Sequence, residues 1–256
     1  MSVEEKGVEN LIEKSFDDLV KAFTNNGSFG QLIFPKTRNK SERYSEQELK
    51  QIFLEHVKGK KIYFYSVETP TEYFYCFKNS ENPTVKENHE KGDNHKAARF
   101  DVSLYNNKYE LLNHIEFKYG NPKKKGPICK DFLKLAKEVK LTNEKKSFFV
   151  HYLNIEKENA WESSKFQKLF ENYRKSVDEI ENKIEDKNDL SKVIVYLVCI
   201  HGKGKTASTY HFSLADLKNN YTVGTKYSDL TDKSWFNEKI FNTEHSIWFF
   251  KLKIDL

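Results

Sequence analysis

Two acidic residues and a lysine lie on neighbouring segments in which apolar and polar residues alternate. Asp101 lies between large apolar neighbours, and Glu116 is separated from Lys118 by a single phenylalanine. Because successive side chains of a strand point to opposite faces of a sheet, Glu116 and Lys118 share one face. Metal-assisted hydrolysis of a phosphodiester needs carboxylates that hold a hard cation, and a basic group, on one rigid face. The three residues are of the types that this chemistry requires.

The turn between the two segments decides whether these side chains meet. Asn106-Asn107 predicts a two-residue turn, which places Asp101 on the same face as Glu116. In that tight register Asp101 pairs with Leu112, about 13 Å along the strand from Glu116. One metal ion cannot bridge this distance. A shared site therefore requires a wider turn or a β-bulge, and bulges are frequent near active sites.

With this motif the chain resembles the PD-(D/E)xK, or restriction-endonuclease-like, nuclease superfamily. The sequence F-D-V-S-L followed by I-E-F-K is similar to the Asp…Glu-x-Lys motif of that family, with Phe100 in place of the proline before the aspartate. The resemblance implies a core in the order helix, three strands, helix, strand. The order of elements predicted below for residues 45–154 is similar.

The resemblance also implies a role for each residue of the motif. Asp101, Glu116 and the backbone carbonyl of Phe117 would bind Mg²⁺ or Mn²⁺. Lys118 would orient or deprotonate the attacking water and offset the charge of the phosphate.

A glutamate from the first core helix often joins the site in this family. Glu46, followed by Leu49 and then Ile52-Phe53, matches the spacing E-x-x-L-x-x-L-L of archaeal Holliday-junction resolvases. Helical geometry places Glu46 about 60° from Leu49, at the edge of the predicted buried stripe. Glu48 is the alternative, although a capping box with Ser45 would occupy it.

Basic residues follow the Glu-x-Lys segment. Lys123, Lys124 and Lys125 lie in the loop after it, and Lys130 lies at the start of the next predicted helix. Under the same resemblance, these lysines are candidates for binding the backbone phosphates of DNA.

Several of these patterns also have an ordinary structural explanation. Glu-x-Lys recurs elsewhere, as at 138–140, and a solvated sheet face alternates charges in the same way. The helix dipole alone favours an acidic residue such as Glu46 in a first turn. His114 shares the face of Glu116, but His114 and His151 are both expected to be structural. The segment 201–206, HGKGKT, lacks the first glycine of a phosphate-binding loop and precedes a strand-like segment, so no nucleotide site is expected there.

Hydrophobic periodicity predicts the elements that hold these residues. The aromatic segments IYFYSV and YFYCF are apolar on both faces, which favours buried strands over platforms on which bases stack. Helices are predicted from about residue 8 to 25, from Ser45 to about 58, and over 128–139 and 163–187. Strands are predicted at 60–68, 71–77, 99–105, 111–118, 147–154, 192–201 and 247–254, with a polar loop at 78–96.

Composition sets few limits on function. The formal net charge of +5 permits nucleic-acid binding without indicating it. The cysteines Cys76, Cys129 and Cys199 form no CxxC pair, so neither a zinc site nor a disulfide framework is expected. The sequence shows no signal-peptide pattern and no apolar run of about 18 residues, so we expect a cytoplasmic protein without membrane association.

From these patterns we expect one α/β domain over 1–256, with a mixed central sheet flanked by helices. A restriction-endonuclease-like core would span 40–155, and a C-terminal helix-strand extension of the same domain would span 160–256. The expected activity is Mg²⁺-dependent hydrolysis of DNA, in restriction, phage defence or DNA repair. A partner protein would supply targeting or activation, and the need for two sites to cut a duplex favours a homodimer. Two alternatives remain open: a ribonuclease, and a non-catalytic nucleic-acid-binding or scaffolding subunit with the same fold.

Overall fold

The chain alternates helices with strands in a computed structural model that describes residues 5–24, 28–34, 45–77, 83–87, 94–120, 125–155, 160–201, 206–226, 230, 234–242 and 247–250. The helices are α1 (Glu5–Thr24), α2 (Glu46–Lys60), α3 (Gly126–Glu138), α4 (Ser164–Ile180), α5 (Asp189–Lys192) and α6 (Leu214–Asn220). The strands are β1 (Ser28–Phe29), β2 (Leu32–Ile33), β3 (Phe64–Cys76), β4 (Thr84–Lys86), β5 (Lys96–Tyr105), β6 (Leu111–Tyr119), β7 (Ser147–Ile155), β8 (Val193–His201), β9 (Thr206–Ser213), β10 (Asn237–Asn242) and β11 (Ile247–Phe250).

One nine-stranded mixed sheet organises the fold, in the order β11-β10-β9-β8-β7-β6-β5-β3-β4. The central strands β6, β7 and β8 run parallel, and the remaining neighbours are antiparallel. Strands β1 and β2 form a separate two-stranded sheet. Strands β8 to β11, from the predicted C-terminal extension, continue the main sheet.

Helices cover both faces of this sheet. On one face, α1 and α2 pack on a core that includes Val102, Ile115 and Phe117. On the other face, α3 to α6 pack on a second core that includes Phe149 and Leu197. The predicted α/β class, with a mixed sheet between helices, is confirmed. Among the helices of the described ranges, none combines the length and apolarity needed to cross a membrane.

Helix α2 begins as the sequence predicts. The Ser45 hydroxyl accepts the N–H of Gln47 at 3.3 Å, and the Glu48 carboxylate accepts the N–H of Ser45 at 2.7 Å, so the capping box is present. The helix ends at Lys60, and Lys61 adopts a left-handed conformation with φ 57°. The cap fixes Glu46 in the first turn of α2.

Strand β3 corrects the prediction of two separate strands. It runs through Thr69-Pro70 without ending, although its register against β5 shifts between Pro70 and Phe74. The segment Phe64–Pro70 of β3 pairs with β5 on one side only, because β4, on the other side, pairs only with Phe74–Cys76. A proline, which lacks an N–H, is tolerated in a strand that is paired on one side only.

The prediction of a polar loop over 78–96 is wrong in two places. Residues 84–86 form β4 at the edge of the main sheet, and Lys96 begins β5. Residues 78–82 and 88–93 lie outside the described residues. A three-residue strand is too short for its periodicity to be recognised in a polar sequence.

The prediction that both aromatic segments are buried is correct for only one of them. In the second segment, Tyr73 and Tyr75 are buried against α3. In the first segment only Tyr63 is buried, whereas Ile62, Phe64, Tyr65 and Val67 are exposed. This half of β3 lies at the edge of the sheet, where the aromatic sequence does not lead to burial.

Candidate active site

The hairpin between β5 and β6 brings Asp101 beside Glu116. The predicted two-residue turn is wrong, because the N–H of Asn106 donates to the carbonyl of Glu110 at 3.0 Å across a turn that spans 106–110. The register also shifts between Leu104 and Tyr105. Val102 pairs with Ile115, so Asp101 lies next to Glu116 and not opposite Leu112.

The Asp101 carboxylate lies where the paired register of β5 and β6 ends. Its Oδ2 accepts the backbone N–H of Phe117 at 2.8 Å. A backbone N–H in the interior needs a partner, and here a side chain supplies it. This hydrogen bond holds the carboxylate of Asp101 against the segment Glu116-Phe117.

Glu116 points towards α3 and is buried there. Its Oε1 forms an ion pair with Nζ of Lys134, which also lies 3.2 Å from Oδ1 of Asp131 and donates to the carbonyl of Arg99 at 2.8 Å. Burial, and then the charge of Asp131, raise the pKa of Glu116 well above its usual range, although Lys134 acts in the opposite direction. Lys134 therefore holds the carboxylate of Glu116 in place.

Lys118 lies on the same strand, and its Nζ is 2.9 Å from Oδ2 of Asp131. Burial opposes the charged form of Lys118, but the attraction of Asp131, Glu46 and Glu116 outweighs it, so the pKa of Lys118 lies above its ordinary value. The pKa of Asp131 is lowered despite burial, because Lys134 and Lys118 both face it. Lys118 is thus an ammonium group, which suits the orientation of water and the compensation of charge better than the removal of a proton.

Helix α2 contributes to the cluster from the opposite face of the sheet. Nζ of Lys50 lies 3.4 Å from Oδ1 of Asp101 and 3.9 Å from Oε1 of Glu68. Burial raises the pKa of Glu46, and the nearby carboxylates of Asp101 and Asp131 add to this rise, against Lys118 and Lys50. Between the two predicted alternatives, Glu46 interacts with the cluster, whereas Glu48 is engaged in the helix cap.

Three members of the cluster were not predicted from the sequence: Lys50, Asp131 and Lys134. Asp131 and Lys134 lie three residues apart on α3, beside the apolar stripe that defined the helix. A D-x-x-K pair at that spacing occupies one helix face and is the signal that could have identified them. The apolar periodicity does not reveal that this face points towards Glu116 and Lys118.

Two of the four lysines predicted to bind phosphate are engaged with other groups. Lys125 pairs with Glu179 of α4 at 3.1 Å, and Nζ of Lys130 lies 4.7 Å from the ring centroid of Phe77. Lys123, Lys124 and most of the HGKGKT segment (202–205) lie outside the described residues.

The two histidines near the cluster have structural partners. Nδ1 of His114 lies 2.8 Å from the hydroxyl of Ser103, and the His114 ring stacks on Phe100. His151 donates from Nε2 to the carbonyl of Gly120 at 2.6 Å, while its Nδ1 lies 2.6 Å from the Tyr173 hydroxyl. Burial lowers the pKa of both histidines to about 3, so both rings are neutral at neutral pH.

The donor chemistry of the cluster fits a hard divalent cation. Four carboxylates, those of Glu46, Asp101, Glu116 and Asp131, interact with three ammonium groups, those of Lys50, Lys118 and Lys134. Burial is the largest cause of the raised pKa values of Glu46 and Glu116, and the neighbouring carboxylates add to it. Oxygen ligands of this kind are those that Mg²⁺ and Mn²⁺ prefer. In the described part of the chain, no three His, Cys, Asp or Glu side chains are already arranged to hold one metal ion. The carboxylate of Glu116 is paired with Lys134.

Comparisons of this chain with protein-family models, with curated proteins and with solved structures gave no match. The geometry and charges of the cluster are therefore the evidence from which a function can be inferred.

Proposed function

We propose that this chain is a metal-dependent nuclease with a restriction-endonuclease-like core and that it hydrolyses phosphodiester bonds of DNA. The observation that carries the proposal is the shifted register of β5 and β6, because it brings Asp101 beside Glu116. The tight turn would separate these two carboxylates by about 13 Å. The order of elements supports the proposal, because α2, β3, β5, β6, α3 and β7 follow the order helix, three strands, helix, strand that the resemblance implies. The three-residue edge strand β4 is an additional element between β3 and β5.

Under this proposal, the metal ion would be held by Asp101, Glu116 and the carbonyl of Phe117, and Glu46 would assist directly or through water. The bound Mg²⁺ or Mn²⁺ supplies an electrophilic site for the phosphate and makes water more acidic. The Lys118 ammonium orients the attacking water and compensates the negative charge that builds up on the phosphate. Because its pKa is raised, Lys118 keeps its proton while it does so.

Two residues of α3 position these groups. Lys134 holds the carboxylate of Glu116, and Asp131 holds the ammonium of Lys118. Since Asp131 also contacts Lys134, the four side chains form one chain of alternating charges. This chain fixes the spacing of Glu116 and Lys118 before substrate arrives, which is the preorganisation that electrostatic catalysis requires.

The proposal is tested by cleavage of labelled DNA in the presence of Mg²⁺ or Mn²⁺, with EDTA as the blank. The natural chain is compared with Lys118→Ala and with Lys146→Ala, a lysine of similar exposure that pairs with Glu9 away from the cluster. We expect metal-dependent cleavage that falls at least about 100-fold in Lys118→Ala and stays unchanged in Lys146→Ala.

The opposite result is equally definite. Intact DNA under every condition would contradict the proposal and favour a non-catalytic subunit. Equal cleavage by Lys118→Ala would contradict the role that the proposal gives to Lys118. Parallel reactions with RNA of the same sequence separate a deoxyribonuclease from a ribonuclease.

A further inference from the structure

The exposed aromatic side chains of the described residues collect in one place. Phe64 and Tyr65, on the first half of β3, are 45% and 39% exposed, and Tyr109, in the neighbouring hairpin turn, is 71% exposed. We refer to Phe64, Tyr65 and Tyr109 as the aromatic ridge. The other exposed large hydrophobic side chains are aliphatic: Ile62 and Val67 beside the ridge, and Ile33, Leu141 and Val223 elsewhere.

The ridge presents rings on both faces of one strand. The ring centroids of Phe64 and Tyr109 lie 4.8 Å apart, so each ring supports the other at the surface. Tyr65 follows Phe64 in the strand and therefore points to the opposite face. A ligand that recognises flat rings would find them on either side of this edge.

Positive charge accompanies the rings. Lys60 ends helix α2, Lys61 follows it, and Lys108 precedes Tyr109, and all three side chains are exposed. Lys58, also in the last turn of α2, pairs with Glu55 at 2.8 Å. Rings on which bases stack, together with cations that contact the backbone phosphates, are the usual elements of a surface that binds single-stranded nucleic acid.

The ridge is within reach of a strand bound at the candidate active site. Phe64 pairs with Tyr105, which lies four residues from Asp101 on β5. At about 3.3 Å per residue this separation is about 13 Å. Phosphates advance about 3.4 Å along one strand of a stacked duplex and further along an extended single strand, so the ridge lies within about four nucleotides of the site.

The backbone of β3 argues against a protein strand as the ligand. Glu68 has φ 53°, and Pro70 lacks an N–H, so the open edge beyond Val67 cannot continue a regular ladder. Prolines and irregular residues of this kind are what proteins use to prevent strand addition at an edge. The rings remain accessible although the backbone edge is interrupted.

We infer that the aromatic ridge binds unpaired bases, so that the preferred substrate is single-stranded or locally unpaired nucleic acid. The inference rests on the proposed nuclease function, which it narrows to a substrate class. Bases inside a blunt duplex are stacked on their neighbours and cannot place their faces on the ridge.

The test is binding of a fluorescent single strand of 16 nucleotides, measured by anisotropy in EDTA so that no turnover is needed, and compared with a blunt duplex of the same sequence. Tyr65→Leu and Phe64→Leu keep an apolar side chain but remove the ring. Each is expected to weaken single-strand binding by about 5-fold to 150-fold and to leave duplex binding unchanged. Val223→Ala, at an exposed position outside the ridge, is the control and should bind as the natural chain does.

The salt dependence of binding distinguishes contacts with phosphates from contacts with the rings. Lys61→Ala should reduce the slope of log affinity against log salt by about 0.7, the value for one phosphate contact on a single strand. The ring variants should weaken binding without a change in this slope.

Three results overturn the inference: no binding of the single strand, equal binding by the ring variants, or a duplex bound more tightly than the single strand. If the ring variants instead change the sedimentation of the protein and leave DNA binding intact, the ridge is a contact between copies of the chain. Failure of the nuclease proposal looks different, because the single strand is then bound through the ridge but no metal-dependent cleavage occurs.

Discussion

At the scale of single residues, the site depends on a buried ion-pair chain. Lys134 is central to this series of ion pairs, because it contacts both Glu116 and Asp131. Removing one partner of a buried ion pair leaves a charge without compensation, which costs more than the loss of an exposed pair. The stability of the fold is therefore linked to the residues of the site.

Replacing Lys134 by methionine tests this link. The apolar stem is retained, whereas Glu116 loses its counter-charge, so we expect the free energy of unfolding to fall by about 3–5 kcal/mol. Lys137→Met is the matched control, because Lys137 is equally buried on the same helix but pairs with Glu185, whose side chain is 60% exposed. The control should lose no more than about 1 kcal/mol. Denaturation in urea measures both, and equal losses would contradict a special role for Lys134.

Metal binding by the chain is expected to depend on Glu116. Calorimetric titration with Mn²⁺ should show one site in the natural chain that is weakened in Glu116→Gln, because a neutral amide is a poorer ligand for a hard cation. Glu185→Gln, a glutamate that pairs with Lys137 and Lys140 away from the cluster, should bind Mn²⁺ as before. Unchanged binding by Glu116→Gln would remove Glu116 from the ligand set.

The sequence allowed Asp101, Glu116, Lys118 and Glu46 to be proposed because each lies in a motif of fixed spacing. It did not reveal Asp131 or Lys134, since apolar periodicity defines which face of α3 is buried but not which polar residues at its margin meet another element. That information arises only from the packing of α3 on β6.

At the scale of elements, the hairpin turn sets the register that unites the site. Asn106 holds this turn, because its Oδ1 accepts the N–H groups of Lys108 and Glu110 at 2.9 and 3.0 Å. Asn106→Ala removes both hydrogen bonds, and we expect a loss of about 1–2 kcal/mol in the free energy of unfolding. Asn107→Ala, at the neighbouring exposed position, serves as the control. Similar stability of the two variants in urea would show that the side chain of Asn106 does not hold the turn.

The contact between α3 and β3 should make the stability of the fold depend on pH. The buried carboxylate of Glu138 accepts hydrogen bonds from the N–H groups of Glu72 and Tyr73 at 3.0 and 3.2 Å and from the hydroxyl of Tyr75 at 3.2 Å. Burial outweighs these bonds and raises the pKa of Glu138 to about 7. A carboxyl whose pKa is raised by folding favours the folded state when protonated, so stability falls as the pH rises from about 4.5 to 7.

Glu138→Gln removes this titration. Relative to the natural chain, the free energy of unfolding of the variant should increase by about 3 kcal/mol between pH 4 and pH 8. The difference between the two proteins, taken from urea denaturation at each pH, cancels the titrations that they share. A difference that does not change with pH would show that Glu138 has an ordinary pKa.

Elements with long, regular periodicity were predicted well, including α2 with its cap and the apolar strands β7 and β8. Strand β3 was misread for two reasons. Thr69-Pro70 usually ends a strand, but here it lies at an edge, where the missing N–H of Pro70 costs no ladder bond. Its aromatic residues are typical of a core, but whether a strand lies in the middle or at the edge of a sheet is decided by strand order, which no local pattern contains.

At the scale of the whole molecule, the candidate site lies where three layers meet. The sheet supplies Asp101, Glu116 and Lys118. Helix α2 supplies Glu46 and Lys50 from one face of the sheet, and helix α3 supplies Asp131 and Lys134 from the other. The mixed α/β architecture could be predicted from the alternation of helices and strands. The sequence did not predict that α2 and α3 meet where the pairing of β5 with β6 ends, because this depends on the bulge and on the wider turn.

The proposed nuclease function is tested most directly by the rate of Mg²⁺-dependent DNA cleavage by Asp101→Asn under single-turnover conditions. The asparagine oxygen can still accept the N–H of Phe117, so the hairpin should keep its register while the charge of the carboxylate is lost. Asp189→Asn, which neutralises a carboxylate paired with Lys192 on α5, is the control. We expect cleavage to fall at least about 100-fold in Asp101→Asn and to stay unchanged in Asp189→Asn. Cleavage by Asp101→Asn at the rate of the natural chain would contradict the role proposed for Asp101.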